Sequence, residues 1–127
     1  MKISPLNNKN VLVVDDEIEI RKALIFDLKR RGCNIFEAAN GTDAIEIVKK
    51  NPIDIVVTDV RMPNGDGVDL LKQIRAYNPK IPIVLLATGF ADLSESEAVG
   101  MGAYGIIEKP FNRQKMLSLL EDFCLQL

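Results

Sequence analysis

Asp15 and Asp16 follow the apolar run VLVV (Val11–Val14), and Asp59 follows IDIVVT (Ile53–Thr58). Thr88 follows IPIVLLA (Ile81–Ala87), and the short run Gly105–Ile107 leads through Glu108 into Lys109-Pro110. If these runs are parallel strands, their C-terminal ends share one edge of a sheet. Three carboxylates, one hydroxyl and one ammonium then converge on a shallow crevice, and in open α/β sheets ligands bind at that edge. Three carboxylates held together repel one another unless a cation neutralises them. Mg2+ suits such a site, because it takes a few carboxylate oxygens and keeps other positions for water and phosphate. A carboxylate beside that cation can also attack phosphorus and form an aspartyl phosphate. Asp15 and Asp16 are adjacent and suited to holding metal. Asp59 opens the turn-rich loop DVRMPNGDG, so its oxygen can face an incoming phosphoryl group. Lys109 and Thr88 then complete an electrostatic clamp around a charge-rich transition state. A lone Asp at a strand end is more often a cap than a catalyst. Two such ends on one edge, with a Lys and a Thr on two others, favour a site.

The elements that must position these residues alternate along the chain. After VLVVDD comes a helix over Glu17–Arg31, with Ile20, Leu24 and Leu28 on one face and Gly32 as its stop. Asp16-x-x-Glu19 resembles a capping box at its start. NIFEAA (Asn34–Ala39) reads as a second strand, and Asn40-Gly41 turns the chain into a helix closed by Asn51-Pro52. Ile53–Thr58 is the third strand, and the next helix carries Val68, Leu71 and Ile74. Ile81–Ala87 is the fourth strand, followed by a helix opened by Ser94-x-x-Glu97 and closed near Gly100. The fifth strand spans about Tyr104–Ile107, and the last helix, from Phe111, places Met116, Leu119, Leu120 and Phe123 on one side. Alternating β and α with near-continuous apolar strands predicts an α/β fold, a parallel sheet with helices on both faces.

Bulk properties narrow the function. A chain of 127 residues is one domain by length. Its net charge of −2 supplies no general attraction to nucleic acid or anionic membrane. The cluster Lys29-Arg30-Arg31 reads as a solvated helix end that complements the helix dipole. There is no histidine, which removes His-based acid–base catalysis, and Cys33 and Cys124 lack metal-ligand spacing, which argues against zinc. Two isolated thiols and the lack of an apolar leader or membrane-length run predict a cytoplasmic setting. Gly100-Met-Gly-Ala-Tyr-Gly105 spells GxGxxG, but it follows a helix and opens a strand, the reverse of a dinucleotide site. Asn64–Gly67 reads as a turn before a helix, since the other ligand positions of a calcium loop are missing.

The pieces VLVVDDE, VVTDVRMPNGDG, the strand ending in Thr88-Gly89, and EKPF occur in the order of a known family. Over roughly Asn8 to Cys124 the chain resembles the receiver domain of two-component response regulators. The resemblance implies a (βα)5 flavodoxin-like three-layer sandwich with a five-stranded parallel sheet of order 2-1-3-4-5. It implies a receiver over residues 8–125, a short extension at 1–7 and no output domain. Asp59 is then the phosphoacceptor, taking its group from a sensor histidine kinase or a histidine phosphotransfer protein. Asp16 binds Mg2+ directly, Asp15 assists, and the backbone carbonyl of Arg61 is a further ligand. Thr88 moves toward the phosphoryl group, Lys109 pairs with it, and the Lys109–Pro110 bond is expected to be cis. The catalysis is confined to the chain's own phosphorylation and dephosphorylation. The output is expected through the surface of the fourth helix, fifth strand and fifth helix, toward a downstream protein or a second copy, with Met101, Tyr104, Glu108 and Arg113 as candidates.

Many receivers carry an aromatic three residues before the Lys. Here that position is Ile106, and the nearest aromatic is Tyr104, so Ile106 is expected to fill the same pocket without a large rotation. Thr88 rather than Ala87 is taken as the hydroxyl position, because Ala87 has none to offer. Arg61 and Phe90, two residues after Asp59 and Thr88, are expected to tune the access of attacking water. Two other functions compete. A phosphohydrolase of the haloacid dehalogenase type also uses Asp and Mg2+, but needs a second acid two residues after its nucleophile. Here those positions are Ile18 after Asp16 and Arg61 after Asp59. An inert receiver-like contact module is disfavoured because every expected side chain is present.

Overall fold

The computed structural model describes residues 3–64, 66–87, 94–108 and 112–125. Among these residues ten elements alternate: β1 (Asn10–Val14), α1 (Ile18–Arg30), β2 (Asn34–Ala38), α2 (Gly41–Lys50), β3 (Ile55–Asp59), α3 (Gly67–Tyr77), β4 (Ile83–Ala87), α4 (Glu95–Gly100), β5 (Gly105–Glu108) and α5 (Arg113–Leu125). The strands form one sheet in the order β2-β1-β3-β4-β5, every neighbouring pair parallel, as expected. Residues of β1 and β3 are buried on both sides, so their side chains divide by the two-residue period of a strand. Val11, Val13, Ile55 and Val57 meet Leu24 and Leu28 of α1 and Met116, Leu117 and Leu120 of α5. Leu12, Val14 and Val56 meet Ala44, Ile45 and Val48 of α2, Leu70, Leu71 and Ile74 of α3, and Ala98 of α4. Each fully buried Leu or Ile contributes roughly 1.5–3 kcal/mol relative to leaving it in water, so these two half-cores hold the three layers together.

Helix starts follow from short side chains that take orphan N–H groups. Asn40 accepts from the Asp43 N–H at 2.8 Å, Asp66 from the Asp69 N–H at 2.8 Å, and Ser94 forms the expected capping box with Glu97. The capping box expected at Asp16 does not form: α1 starts at Ile18 after Glu17, whose side chain makes no cap bond. Asp15 Oδ1 instead accepts the Glu17 N–H at 2.9 Å, so the carboxylate at the strand end holds the chain extended for two residues longer. β4 starts at Ile83 rather than Ile81, because Pro82 has no N–H to offer; its carbonyl accepts from Val56 at 3.0 Å.

Two long-range ties complete the layer of α1 and α5. Within the segment expected as an extension, Leu6 is fully buried among the side chains of that layer. The Ser4 hydroxyl donates to Glu121 of α5 at 2.6 Å, and the Asn8 N–H donates to the Gly32 carbonyl at 2.9 Å. Arg113, in the first turn of α5, donates through Nε and Nη2 to the two oxygens of Asp27 on α1. Asp27 is 7 % exposed, and the Arg113 hydrogen bond holds its carboxyl below the usual carboxylate range against the opposing effect of burial.

Leu6→Ala should lower the unfolding free energy by about 2–5 kcal/mol, measured by urea denaturation, because it empties a filled core position. The Asp27 pair carries a pH signature. A depressed folded-state pKa gives stability that is fully present above the unfolded carboxylate value and is lost as pH falls through the folded one. Arg113→Ala should therefore be less stable than the parent chain at neutral pH, and the gap should close as pH drops below about 4 in a urea series.

Candidate functional site

The sheet register sets the site. Val14 of β1 lies beside Thr58 of β3, so Asp15, one residue on, reaches the level of Asp59 at the end of β3. On the far side, Asp59 lies beside Leu86, and Ala87 beside Glu108. The next residues along those two strands are Thr88 and Lys109. Thr88, Phe90, Lys109 and the Lys109–Pro110 bond lie outside the described residues.

Asp15 is fully buried and Asp59 is 2 % exposed. Burial of two carboxylates at one edge is costly unless opposite charge or hydrogen bonds compensate them, and such arrangements mark functional sites. One carboxylate oxygen each from Asp15, Glu17 and Asp59 lies within 4.8 Å of the other two. Asp16 is exposed and is not in that group. The cause is local backbone. Glu17 is extended (φ −87°, ψ 109°), and in extended chain alternate residues share a side. Asp15 and Glu17 therefore face the crevice together. Sequence reasoning missed Glu17 by treating the adjacent pair Asp15-Asp16 as the metal-holding unit; the two-residue period carried past the strand end is the signal that finds it. The donor set is all carboxylate oxygen, hard and anionic, which fits Mg2+ completed by water and phosphate oxygens.

Neighbouring groups fix these carboxylates. Arg21 of α1 donates through Nη1 to the Asp15 carbonyl at 2.7 Å and through Nε to Glu37 at 2.9 Å, so the backbone before Glu17 is pinned from the helix. The Asp15 N–H donates to the Ala38 carbonyl of β2 at 3.2 Å. Gly67, the first residue of α3, lies against the C-terminal end of β3. Its N–H donates to the Val60 carbonyl at 2.8 Å, and a Cβ there would come within 2.1 Å of the Asp59 carbonyl oxygen. Only glycine permits that approach. The loop between β3 and α3 is braced a second time, since the Thr42 hydroxyl of α2 donates to the Asn64 carbonyl at 2.9 Å, with Asn64 in the left-handed region (φ 59°). Arg61 is exposed at the mouth of the crevice.

Ile106 and Tyr104 lie on opposite sides of the sheet. Ile106 is half-buried and packs on the cluster of α2, α3 and α4. Tyr104 precedes β5, packs on the α1 and α5 side, and meets Phe123 edge-to-face with ring centroids 4.9 Å apart. Of the residues expected on the output surface, Met101 packs on the α3 and α4 cluster and Arg113 is engaged with Asp27. The Glu108 side chain lies outside the described residues. Among the described residues no helix is long and apolar enough to cross a membrane.

This geometry agrees with the comparisons. The family model described as Response regulator receiver domain matches residues 11–121. An NtrX-like response regulator of Rickettsia typhi is 35 % identical over 121 residues, covering 94 % of this chain and 26 % of that one. The chain thus spans about a quarter of the length of the first curated relatives it matches. The receiver domain of the Francisella response regulator 1452 superposes with a TM-score of 0.87 at 26 % identity, covering 94 % of this chain and 98 % of that domain. A chain of the CheX–CheY–BeF3–Mg2+ complex from Borrelia burgdorferi superposes with a TM-score of 0.85 at 29 % identity, covering 92 % of this chain and 90 % of that one. With its parallel sheet, its carboxylates gathered at the ends of β1 and β3, and a family match over most of its length, this chain belongs to the response regulator receiver domains.

Proposed function

We propose that the chain is a phosphorylation-switched signalling module in which Asp59 accepts a phosphoryl group. The observation that carries this reading is the meeting of three carboxylate oxygens, from Asp15, Glu17 and Asp59, within 4.8 Å at the C-terminal edge of the sheet. Asp15, Glu17 and Asp59 would hold Mg2+, with Asp16 and the backbone carbonyl of Arg61 as further oxygen donors. When bound, Mg2+ supplies positive charge that offsets the carboxylates and the oxygens of the transferring group. The CheX–CheY complex of Borrelia, which contains BeF3 and Mg2+, supports that choice of ion for a similar fold.

The donor is a phosphohistidine of a sensor histidine kinase or of a histidine phosphotransfer protein. An Asp59 oxygen forms a bond to phosphorus while the P–N bond to the donor imidazole breaks, and the imidazole leaves with the bonding electron pair and takes up a proton. Burial of Asp59 removes competing water from the attacking oxygen. Thr88 and Lys109 take phosphoryl oxygens, the first by its hydroxyl and the second by its charge. Arg61 and Phe90 limit the access of the water that later hydrolyses the acyl phosphate, so the chain catalyses its own phosphorylation and dephosphorylation only. The change leaves through α4, β5 and α5 toward a downstream protein or a second copy, in the cytoplasm, without direct contact to nucleic acid or membrane. Ile106 occupies the space that an aromatic fills in many relatives of this family.

Incubation with acetyl phosphate and Mg2+, followed by intact mass measurement, should add one acid-stable, base-labile phosphoryl group. The group should be absent from Asp59→Ala. Turnover of acetyl phosphate without modification would instead indicate a phosphohydrolase, and no reaction at all would indicate a contact module. Gly67→Ala should lower the unfolding free energy by about 1–3 kcal/mol, as overpacking against backbone does. It should also slow acetyl phosphate labelling, because the displaced atom is the carbonyl of Asp59 itself.

A further inference from the structure

Helix α4 is thinly anchored. It has six residues; Ala98 is its buried side chain among those described, and Val99 is 51 % exposed. A helix with so little apolar contact needs another restraint to keep its place. Arg75, in the last turn of α3, supplies one. Its Nε donates to the Gly102 carbonyl at 3.0 Å and its Nη2 to the same oxygen at 2.5 Å, while Nη1 donates to the Ile81 carbonyl at 2.5 Å. One guanidinium thus ties the turn between α4 and β5 to the turn that enters β4. Gly102 is shaped for this contact: it sits at φ +101°, and a Cβ there would come within 2.8 Å of Arg75 Nε. The turn itself closes α4, with the Gly102 N–H on the Val99 carbonyl at 3.0 Å and the Ala103 N–H on the Ala98 carbonyl at 2.9 Å.

The other end of α3 meets Asp59. Gly67 touches the Asp59 carbonyl and bonds to Val60, and eight residues later along the same helix Arg75 holds Gly102. Leu70, Leu71 and Ile74 bury the face between them, and α3 is a packed rod about 16 Å long. We propose that Arg75 is a positioning residue that couples the Asp59 end of α3 to the α4–β5 turn, so that a shift of the Asp59 backbone reaches the output face through α3 as well as through the strands. This rests on the reading of Asp59 as phosphoacceptor. It gives the chain a route to α4 that does not depend on an aromatic at position 106. The physical basis is a rigid helix with a polar fork at one end and a close backbone contact at the other.

The test uses Arg75→Met, which keeps the packed stem, and Arg75→Lys, which keeps the charge but cannot fork across two carbonyls. Amide exchange by NMR, without added ligand, should accelerate at Gly102 and Ala103 by about tenfold in both variants, the factor for losing a hydrogen bond to a charged donor. Amides of Val11–Val14 should exchange as in the parent, which reports an intact core. Unchanged exchange at Gly102 and Ala103 would overturn the latch whatever Asp59 does. In the second arm, beryllofluoride with Mg2+ should shift the amides of Val60, Arg61 and Met62 in all three proteins. Shifts at Gly102 and Ala103 should appear in the parent and vanish in both variants. Their survival in the variants would overturn the coupling. Failure of the parent to shift near Asp59 would overturn the phosphoacceptor reading instead, and the exchange arm would still decide the latch.

Discussion

The structure depends on bringing like charges together at one point. One carboxylate oxygen each from Asp15, Glu17 and Asp59 lies within 4.8 Å of the other two, and Asp15 and Asp59 are buried. The sheet sets how close they come. β1 and β3 are neighbours in parallel register, so their ends cannot separate without breaking the two central strands of the core. α1 leaves β1 toward one face and α3 leaves β3 toward the other, which opens a crevice where the chain direction divides.

Among the described residues, several contacts around the crevice hold backbone carbonyls. Arg21 holds the carbonyl of Asp15, Gly67 lets α3 approach the carbonyl of Asp59, and Thr42 holds the carbonyl of Asn64. The first two contacts fix main chain beside the acidic side chains, and the third fixes the loop that follows β3. The same economy appears at Arg75, where one cation satisfies carbonyls from two turns. Burial differs sharply along the fold: β1 beyond Asn10 and all of β3 are buried, while α4 places little of its described surface in the core.

Much of this was legible in the sequence. Apolar runs of strand length ending in Asp marked β1 and β3, and the caps at Asn40 and Ser94 marked two helix starts within a residue. The centrality of Asp59 followed from its place at a strand end before a turn-rich loop. Other features depended on contacts that no local pattern records. Glu17 joins the acidic group only because the backbone stays extended past Asp15, and a capping-box reading of Asp16 concealed it. Leu6 stands alone among polar residues, so no periodicity announces its burial. Asp27 with Arg113, and Arg75 with Gly102, are pairs separated by a helix or more, and each looks like an ordinary surface charge in the sequence.

Read as a site for a hard divalent cation, the acidic group should bind Mg2+ in the folded state. Thermal unfolding against Mg2+ concentration, at constant ionic strength, addresses it most directly. A ligand that binds only the folded state raises the midpoint as its concentration passes the dissociation constant, by RT ln(1 + [L]/Kd) in free energy. The midpoint should rise with Mg2+ in a way that Na+ does not reproduce, and Asp59→Asn and Glu17→Gln should each diminish the rise. A midpoint indifferent to Mg2+, or one raised equally in the Asp59→Asn chain, would contradict it.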